Sequence, residues 1–110
     1  MKLWIDDVRP APEGYVWLKS VNEAKRKICS ESSVYSNHWM DHVADCDIIS
    51  VIDIDHDAGD YASDGGDYIR LLDWLEETRQ NYPIRIHSQN PVGVANMRRI
   101  IQRNGWKEVF

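Results

Sequence analysis

The stretch Asp47-Ile48-Ile49-Ser50-Val51-Ile52-Asp53-Ile54-Asp55-His56-Asp57-Ala58-Gly59 constrains this chain more than any other. A short apolar run bounded by turn residues reads as a strand covered on both faces, the kind found in parallel sheets. Such a strand offers charge no water along its length, so acids at its end must emerge where the chain leaves the sheet. In open α/β sheets ligands bind at that edge. The carboxylates and the histidine that close the run therefore predict an acidic, metal-dependent site.

The rest of the chain supplies partners for it. Lys2-Leu3-Trp4-Ile5 predicts a first strand with Asp6-Asp7 directly behind it, and Val8 to Gly14 then turns the chain through Pro10 and Pro12 with no room for a helix. Tyr15 to Leu18 predicts a second strand, at an edge. Ser20-Val21-Asn22-Glu23 is a capping box opening a helix with Val21, Ala24 and Ile28 on its apolar face. That helix is expected to weaken by Ser30 to Ser33. Within residues 30–46, Tyr35, Trp39 and Val43 recur at helical spacing and predict a short further helix.

After the acidic, glycine-rich loop, Tyr68, Leu71, Leu72 and Leu75 form a stripe that predicts a helix from Asp67, capped by Asp64 or Asp67 and ended by Tyr82-Pro83. Ile84 to His87 alternates as a strand. Ser88-Gln89-Asn90-Pro91 starts a helix, Val94, Met97 and Ile101 mark its buried side, and Asn104-Gly105 stops it. Trp106 to Phe110 gives a last strand. Strands alternating with helices predict one α/β domain over residues 1–110, an open parallel sheet of about five strands with helices on both faces.

Composition sets outer limits. The 110 residues, 43% hydrophobic and 28% charged, suffice for a core without disulfides or structural metal. A formal charge of −5 argues against an extended nucleic-acid surface, which needs basic residues, but is compatible with a nucleotide held through a cation. Cys29 and Cys46 are too few for a disulfide scaffold, and neither a secretory leader nor a membrane span is evident. The expected location is the cytoplasm, with no membrane partner and room for a protein partner.

Three predicted strand ends carry Asp6-Asp7, Asp55-His56-Asp57 and His87-Ser88. Carboxylates converging at one edge repel one another, and a divalent cation resolves the conflict. Oxygen ligands suit Mg²⁺, with Mn²⁺ close behind, and Mg²⁺ bound by so few carboxylates favours a phosphate-bearing ligand. The helix start after Ser88-Gln89-Asn90 would offer N–H groups to that phosphate, and Arg9 could pair with it. His56 and His87 are the acid/base candidates, which makes phosphoester hydrolysis a concrete mechanism. Each residue also has a plain structural reading. Acids after strands serve as turn and cap residues, His87 could be a hydrogen-bonded core histidine, Ser88 and Asn90 could be caps, and Arg9 could bind a backbone carbonyl.

Two other patterns are weaker. Asp53 to Asp64 imitates a calcium-binding loop, but Ala58 stands where that loop needs glycine and Asp64 where it needs glutamate. His38 and His42 share a helix face, but Cys29 and Cys46 lack the close spacing of a structural zinc site.

The segments Trp4-Ile5-Asp6-Asp7-Val8-Arg9-Pro10-Ala11-Pro12, Ile54-Asp55-His56-Asp57-Ala58-Gly59 and His87-Ser88-Gln89-Asn90-Pro91-Val92-Gly93 resemble the cyclic-phosphate-processing receiver-like domain, a divergent relative of the response-regulator receiver. The resemblance implies a receiver/flavodoxin-like sheet and places Asp55, not Asp53, at the phosphoacceptor position, with Asp53 inside the strand. It implies metal ligation by Asp6, Asp7 and Asp55. The chemistry of the residues adds the expectation that Arg9, Ser88 and Asn90 grip the phosphate and that His56 and His87 transfer protons, with Asp57 orienting one of them. The implied activity is Mg²⁺- or Mn²⁺-dependent processing of a cyclic phosphate, a 2′,3′-type nucleotide or RNA-end phosphate. The alternative is a non-catalytic receiver-like signalling or ligand-binding module. The chain departs from ordinary receivers in having no lysine after the last strand, no final helix after Phe110, Ala58 in place of a larger apolar residue, and an apparent insertion at residues 30–46.

Overall fold

Four short runs of apolar and aromatic residues pair in parallel: β1 (Lys2–Ile5), β2 (Tyr15–Leu18), β3 (Val51–Ile54) and β4 (Ile84–Ile86). A two-residue β5 (Glu108–Val109) adds to β4, giving one parallel sheet in the order β2-β1-β3-β4-β5. The computed structural model of the chain describes residues 1–36 and 49–110. The predicted helix through Trp39 and Val43 and the His38–His42 pair fall outside the described residues.

Among the described residues three α-helices flank the sheet: α1 (Val21–Ser36), α2 (Ile69–Glu77) and α3 (Pro91–Asn104). This is the expected receiver/flavodoxin-like architecture. Strand side chains alternate in direction, and here the two sets do different work. Leu3, Ile5, Ile52, Ile54 and Ile84 join Val21, Ala24 and Ile28 of α1, Leu71, Leu72 and Leu75 of α2, and Met97, Ile100 and Ile101 of α3 in one core. Each fully buried aliphatic side chain contributes about 1.5–3 kcal/mol relative to exposure. The alternate set, in register across three strands, is Trp4, Asp53 and Arg85. It is polar and aromatic, and it leads to the site.

The loop 6–14 joins parallel β1 and β2 without a helix, as its prolines require. The capping box at α1 forms: Ser20 Oγ accepts from Glu23 N–H at 3.0 Å, while Glu23 Oε1 accepts from Lys19 N–H at 2.6 Å, one residue upstream of the usual partner. No Gly or Pro interrupts α1, which runs to Ser36, past its expected weakening point.

Helix α2 departs from expectation at both ends. Neither Asp64 nor Asp67 caps it; its N-terminal flank is Tyr68, with no side-chain cap. Asp64 instead accepts from Ser20 Oγ and Asn22 Nδ2, and Asp67 Oδ1 accepts from Ala58 N–H, so both acids tie down the loop. The helix stops at Glu77, before Tyr82-Pro83. Arg79 adopts a left-handed φ of 56°, Gln80 N–H donates to Leu75 O and Arg79 N–H to Glu76 O. That is a Schellman ending without its usual glycine. Helix α3 matches expectation, with Asn90 Oδ1 accepting from Gly93 N–H, Pro91 in the first turn and Gly105 left-handed at the end.

Candidate metal and phosphate site

The carboxyl ends of β1, β3 and β4 lie side by side, because these three strands are neighbours in the sheet. Asp6 and Asp7 follow β1 and Asp55 follows β3, with Asp55 N–H donating to Ile5 O at 2.9 Å to hold the two ends together. One oxygen from each of Asp6, Asp7 and Asp55 lies within 4.8 Å of the others. Asp6 is fully buried; Asp7 and Asp55 are half-buried. This tri-aspartate cluster can coordinate a divalent metal ion: it is all oxygen, partly shielded from water, and rich in uncompensated negative charge.

The three acids are not equivalent. Burial raises the Asp6 carboxyl, but the N–H groups of Arg9 and Val8, each 3.0 Å from Oδ1, and the His87 imidazole outweigh it and hold Asp6 below the ordinary carboxylate value. Asp7 goes the other way. Burial, reinforced by the neighbouring carboxylates of Asp6 and Asp55, raises it, and its own backbone N–H offsets only part of that. A cation would reverse that destabilisation, which is the physical fit between this donor set and a metal. Gly59 makes the approach to Asp7 feasible: its φ is 55°, and a Cβ there would overlap Asp7 Oδ2.

His87 lies behind the cluster. Its Nε2 is 2.8 Å from Asp6 Oδ2 and its Nδ1 2.7 Å from Asp53 Oδ1, so a proton is needed on both lines. The ring is stacked on Trp4, with centroids 3.9 Å apart and planes 4° from parallel. Its side chain is only 6% exposed. Arg85 NH1 donates to Asp53 Oδ2 at 3.0 Å from the far side. Asp53, in mid-strand and 1% exposed, thus has a side-chain partner on each oxygen, Arg85 and His87. This also removes the calcium-loop reading, since Asp53 and Asp64 are committed to different parts of the fold.

His56 belongs to a second group. Its Nδ1 lies 2.7 Å from Asp57 Oδ1, and the Asn90 amide nitrogen lies 3.5 Å from both of those atoms. The His56 ring packs on the first turn of α3, where a Cβ on Gly93 would overlap it. Asn90 therefore joins the α3 cap to the His56–Asp57 pair. Ser88 Oγ accepts from Asn90 N–H at 3.1 Å and shapes the same turn. Arg9 is exposed and donates to the His87 carbonyl at 3.2 Å, while its own carbonyl accepts from Trp4 Nε1 at 2.9 Å.

The nine site residues expected from the sequence thus fall into two groups joined through Asp55-His56-Asp57. Sequence reasoning did not single out Arg85, Trp4, Gly59 or Gly93. The signal for Arg85 was present: it is two residues before His87, which directly follows β4, hence on the same side. Gly59 was visible only as part of a loop and Gly93 only as part of a helix start, because the clashes they avoid come from residues distant in sequence.

Among the described residues no helix is long and apolar enough to cross a membrane. Comparison with curated proteins and with solved structures gave no match. The model of one family, described as the cyclic-phosphate processing receiver domain, matches residues 1–103. With nearly the whole sequence covered and the acidic cluster at the strand ends where a receiver fold assembles its site, this chain belongs to the cyclic-phosphate processing receiver family.

Proposed function

We propose that this protein is a metal-dependent phosphoesterase that binds and hydrolyses a cyclic phosphate, of the 2′,3′-nucleotide or RNA-end type, in the cytoplasm. The observation that carries the reading is the convergence of Asp6, Asp7 and Asp55 in a chain of this family. Asp7 and Asp55, with Asp6, would hold Mg²⁺ or Mn²⁺. Such an ion, when bound, neutralises phosphate charge and lowers the pKa of a coordinated water.

The chain's own residues do the rest. His56 is the proton-transfer group: Asp57 fixes Nδ1 and so sets the tautomer, leaving Nε2 for exchange with the reacting oxygen. Gly93 lets the imidazole rest on α3, which fixes the ring plane. Arg9 and the Ser88 hydroxyl proton are the donors for phosphate oxygens, and Asn90 holds the turn that presents Ser88. His87, expected from the sequence as a second acid/base group, has both nitrogens on carboxylates, and in this reading it acts on substrate through Asp6.

The test is turnover of a 2′,3′-cyclic nucleotide with Mg²⁺ or Mn²⁺ by the wild type, His56→Ala and His87→Ala. Hydrolysis that needs the metal and is lost in His56→Ala supports the proposal. Undiminished hydrolysis by His56→Ala removes the proton-transfer assignment, and undiminished hydrolysis by His87→Ala removes the role of His87 behind Asp6. A second reading is a receiver-like signalling module, favoured by the position of Asp55 at the end of β3. A stable aspartyl-phosphate adduct on Asp55 after treatment with a small phosphodonor, seen by mass spectrometry without turnover, would favour it.

A further inference from the structure

The interior of a parallel sheet is the costliest place in this fold for a carboxylate, yet β3 carries Asp53 there, 1% exposed. An apolar residue would fill that position without desolvating a charge, so the acid needs a reason beyond packing. Register supplies the first half of one. Asp53 is opposite Arg85 of β4, and His87 lies two residues beyond Arg85 on the same side of the strand. Asp53 is therefore held between them, with Arg85 NH1 at 3.0 Å from one oxygen and His87 Nδ1 at 2.7 Å from the other. The second half lies at the far side of the imidazole, where Nε2 meets Asp6 Oδ2 at 2.8 Å.

We infer that Asp53 and Arg85 are positioning residues for the metal site: Arg85 orients Asp53, Asp53 fixes the His87 ring, and His87 fixes the Asp6 carboxylate in the tri-aspartate cluster. The inference rests on the metal-site reading above and assigns to it two residues outside the cluster. An imidazole can flip about its Cβ–Cγ bond and exchange its nitrogens. The Asp53 contact selects one orientation, and the Trp4 ring, parallel to His87 at 3.9 Å, holds the plane. Asp6 is then locked on both oxygens, by His87 at Oδ2 and by two backbone N–H groups at Oδ1. These contacts occupy three of its lone-pair sites and keep the carboxylate from rotating, which leaves one site on Oδ2. Hydrogen-bond partners behind a ligating carboxylate typically change metal affinity by about 10–100-fold when removed.

The experiment compares wild type, Asp53→Asn, Arg85→Gln, Arg85→Lys and the core control Leu75→Ala. It measures the histidine ring ¹H–¹⁵N spectrum of metal-free protein, Mn²⁺ affinity by electron paramagnetic resonance, and thermal midpoint. Asp53→Asn should alter the His87 Nδ1–H signal and weaken Mn²⁺ binding about tenfold or more. Arg85→Gln should move both readouts the same way by less, and Arg85→Lys should restore most of the loss. Leu75→Ala should lower the midpoint and leave ring spectrum and affinity unchanged. If Asp53→Asn does not fold, Arg85→Gln carries the test, since the Arg85 side chain is 43% exposed. Wild-type Mn²⁺ affinity in folded Asp53→Asn and Arg85→Gln overturns the positioning role. A wild type that binds no Mn²⁺ overturns the metal reading itself, a separately readable failure.

Discussion

Gly93 sits so close beneath His56 that a Cβ at position 93 would overlap three atoms of the imidazole ring. Gly93 is buried in the first turn of a 14-residue helix, where alanine is intrinsically the better helix former by about 0.8–1 kcal/mol. The contact is the packing reason for a glycine here, and it joins the α3 N-terminus to the His56–Asp57 pair.

Gly93→Ala should consequently separate activity from stability. The ring must tilt or shift to accept the methyl group, and a displacement of about 1 Å at a reacting group can cost about a hundredfold in rate. We expect cyclic-phosphate turnover to fall by at least tenfold to about that extent, with Mn²⁺ affinity retained. Unchanged turnover in a folded Gly93→Ala protein would remove His56 from the chemistry.

Gly59→Ala should strike the other group. A left-handed conformation costs a non-glycine residue about 1–2 kcal/mol, and the added Cβ would displace the Asp7 carboxylate. Loss of Mn²⁺ binding together with a lower thermal midpoint is expected. Asp7→Asn should lose the ion without losing stability, because it relieves the crowding of like charges that raises the Asp7 carboxyl.

Tyr68 tests the scaffold beneath the loop. Its hydroxyl is buried and donates to Lys19 O at 2.7 Å. Burial and the carboxylates of Asp7, Asp6 and Asp55 push its ionisation far above the ordinary tyrosine value, so it remains a donor throughout the accessible pH range. Tyr68→Phe leaves that carbonyl without its donor and should destabilise the fold by about 1–3 kcal/mol in denaturant titration.

At the opposite end of α3, Arg103 grips Glu76 of α2 at 2.7 Å, with Asn104 Nδ2 at 2.6 Å. Arg103 and Asn104 lower the Glu76 pKa from 4.5 to about 2. A depressed carboxylate stabilises the fold above its unfolded pKa, and that contribution is lost as pH falls through the folded value. The thermal midpoint gap between wild type and Glu76→Gln should therefore be constant above pH 4.5 and close between 4.5 and about 2. The pair is exposed, so the gap should be small and shrink with salt.

The two Schellman endings show where sequence patterns carry structure and where they do not. At Gly105 the left-handed residue is a glycine, so the end of α3 was legible. At Arg79 the same hydrogen-bond pattern is formed by a residue that carries no such signal, and the end of α2 was placed too late, at Tyr82-Pro83. The strand ends tell a similar story. Asp6, Asp7 and Asp55 announced themselves because a buried strand cannot hold charge, and the sheet order then brought them together. Asp53 broke that rule silently. Its partners, Arg85 and His87, come from β4 and the residues after it, and only the parallel register of β3 with β4 puts them on it. Asp64 and Asp67 looked like helix caps by proximity in sequence, but Ser20, Asn22 and Ala58 offered donors at shorter reach in space.

Asp6, Asp7 and Asp55 together are expected to form one divalent-cation site. Titrating Mn²⁺ into the protein while following the free-ion paramagnetic signal tests it most directly, with Asp55→Asn alongside. One saturable site per chain is expected in the wild type, competed by Mg²⁺, and its loss is expected in Asp55→Asn. A free-ion signal that persists in excess wild-type protein, or binding to Asp55→Asn equal to that of the wild type, would contradict it.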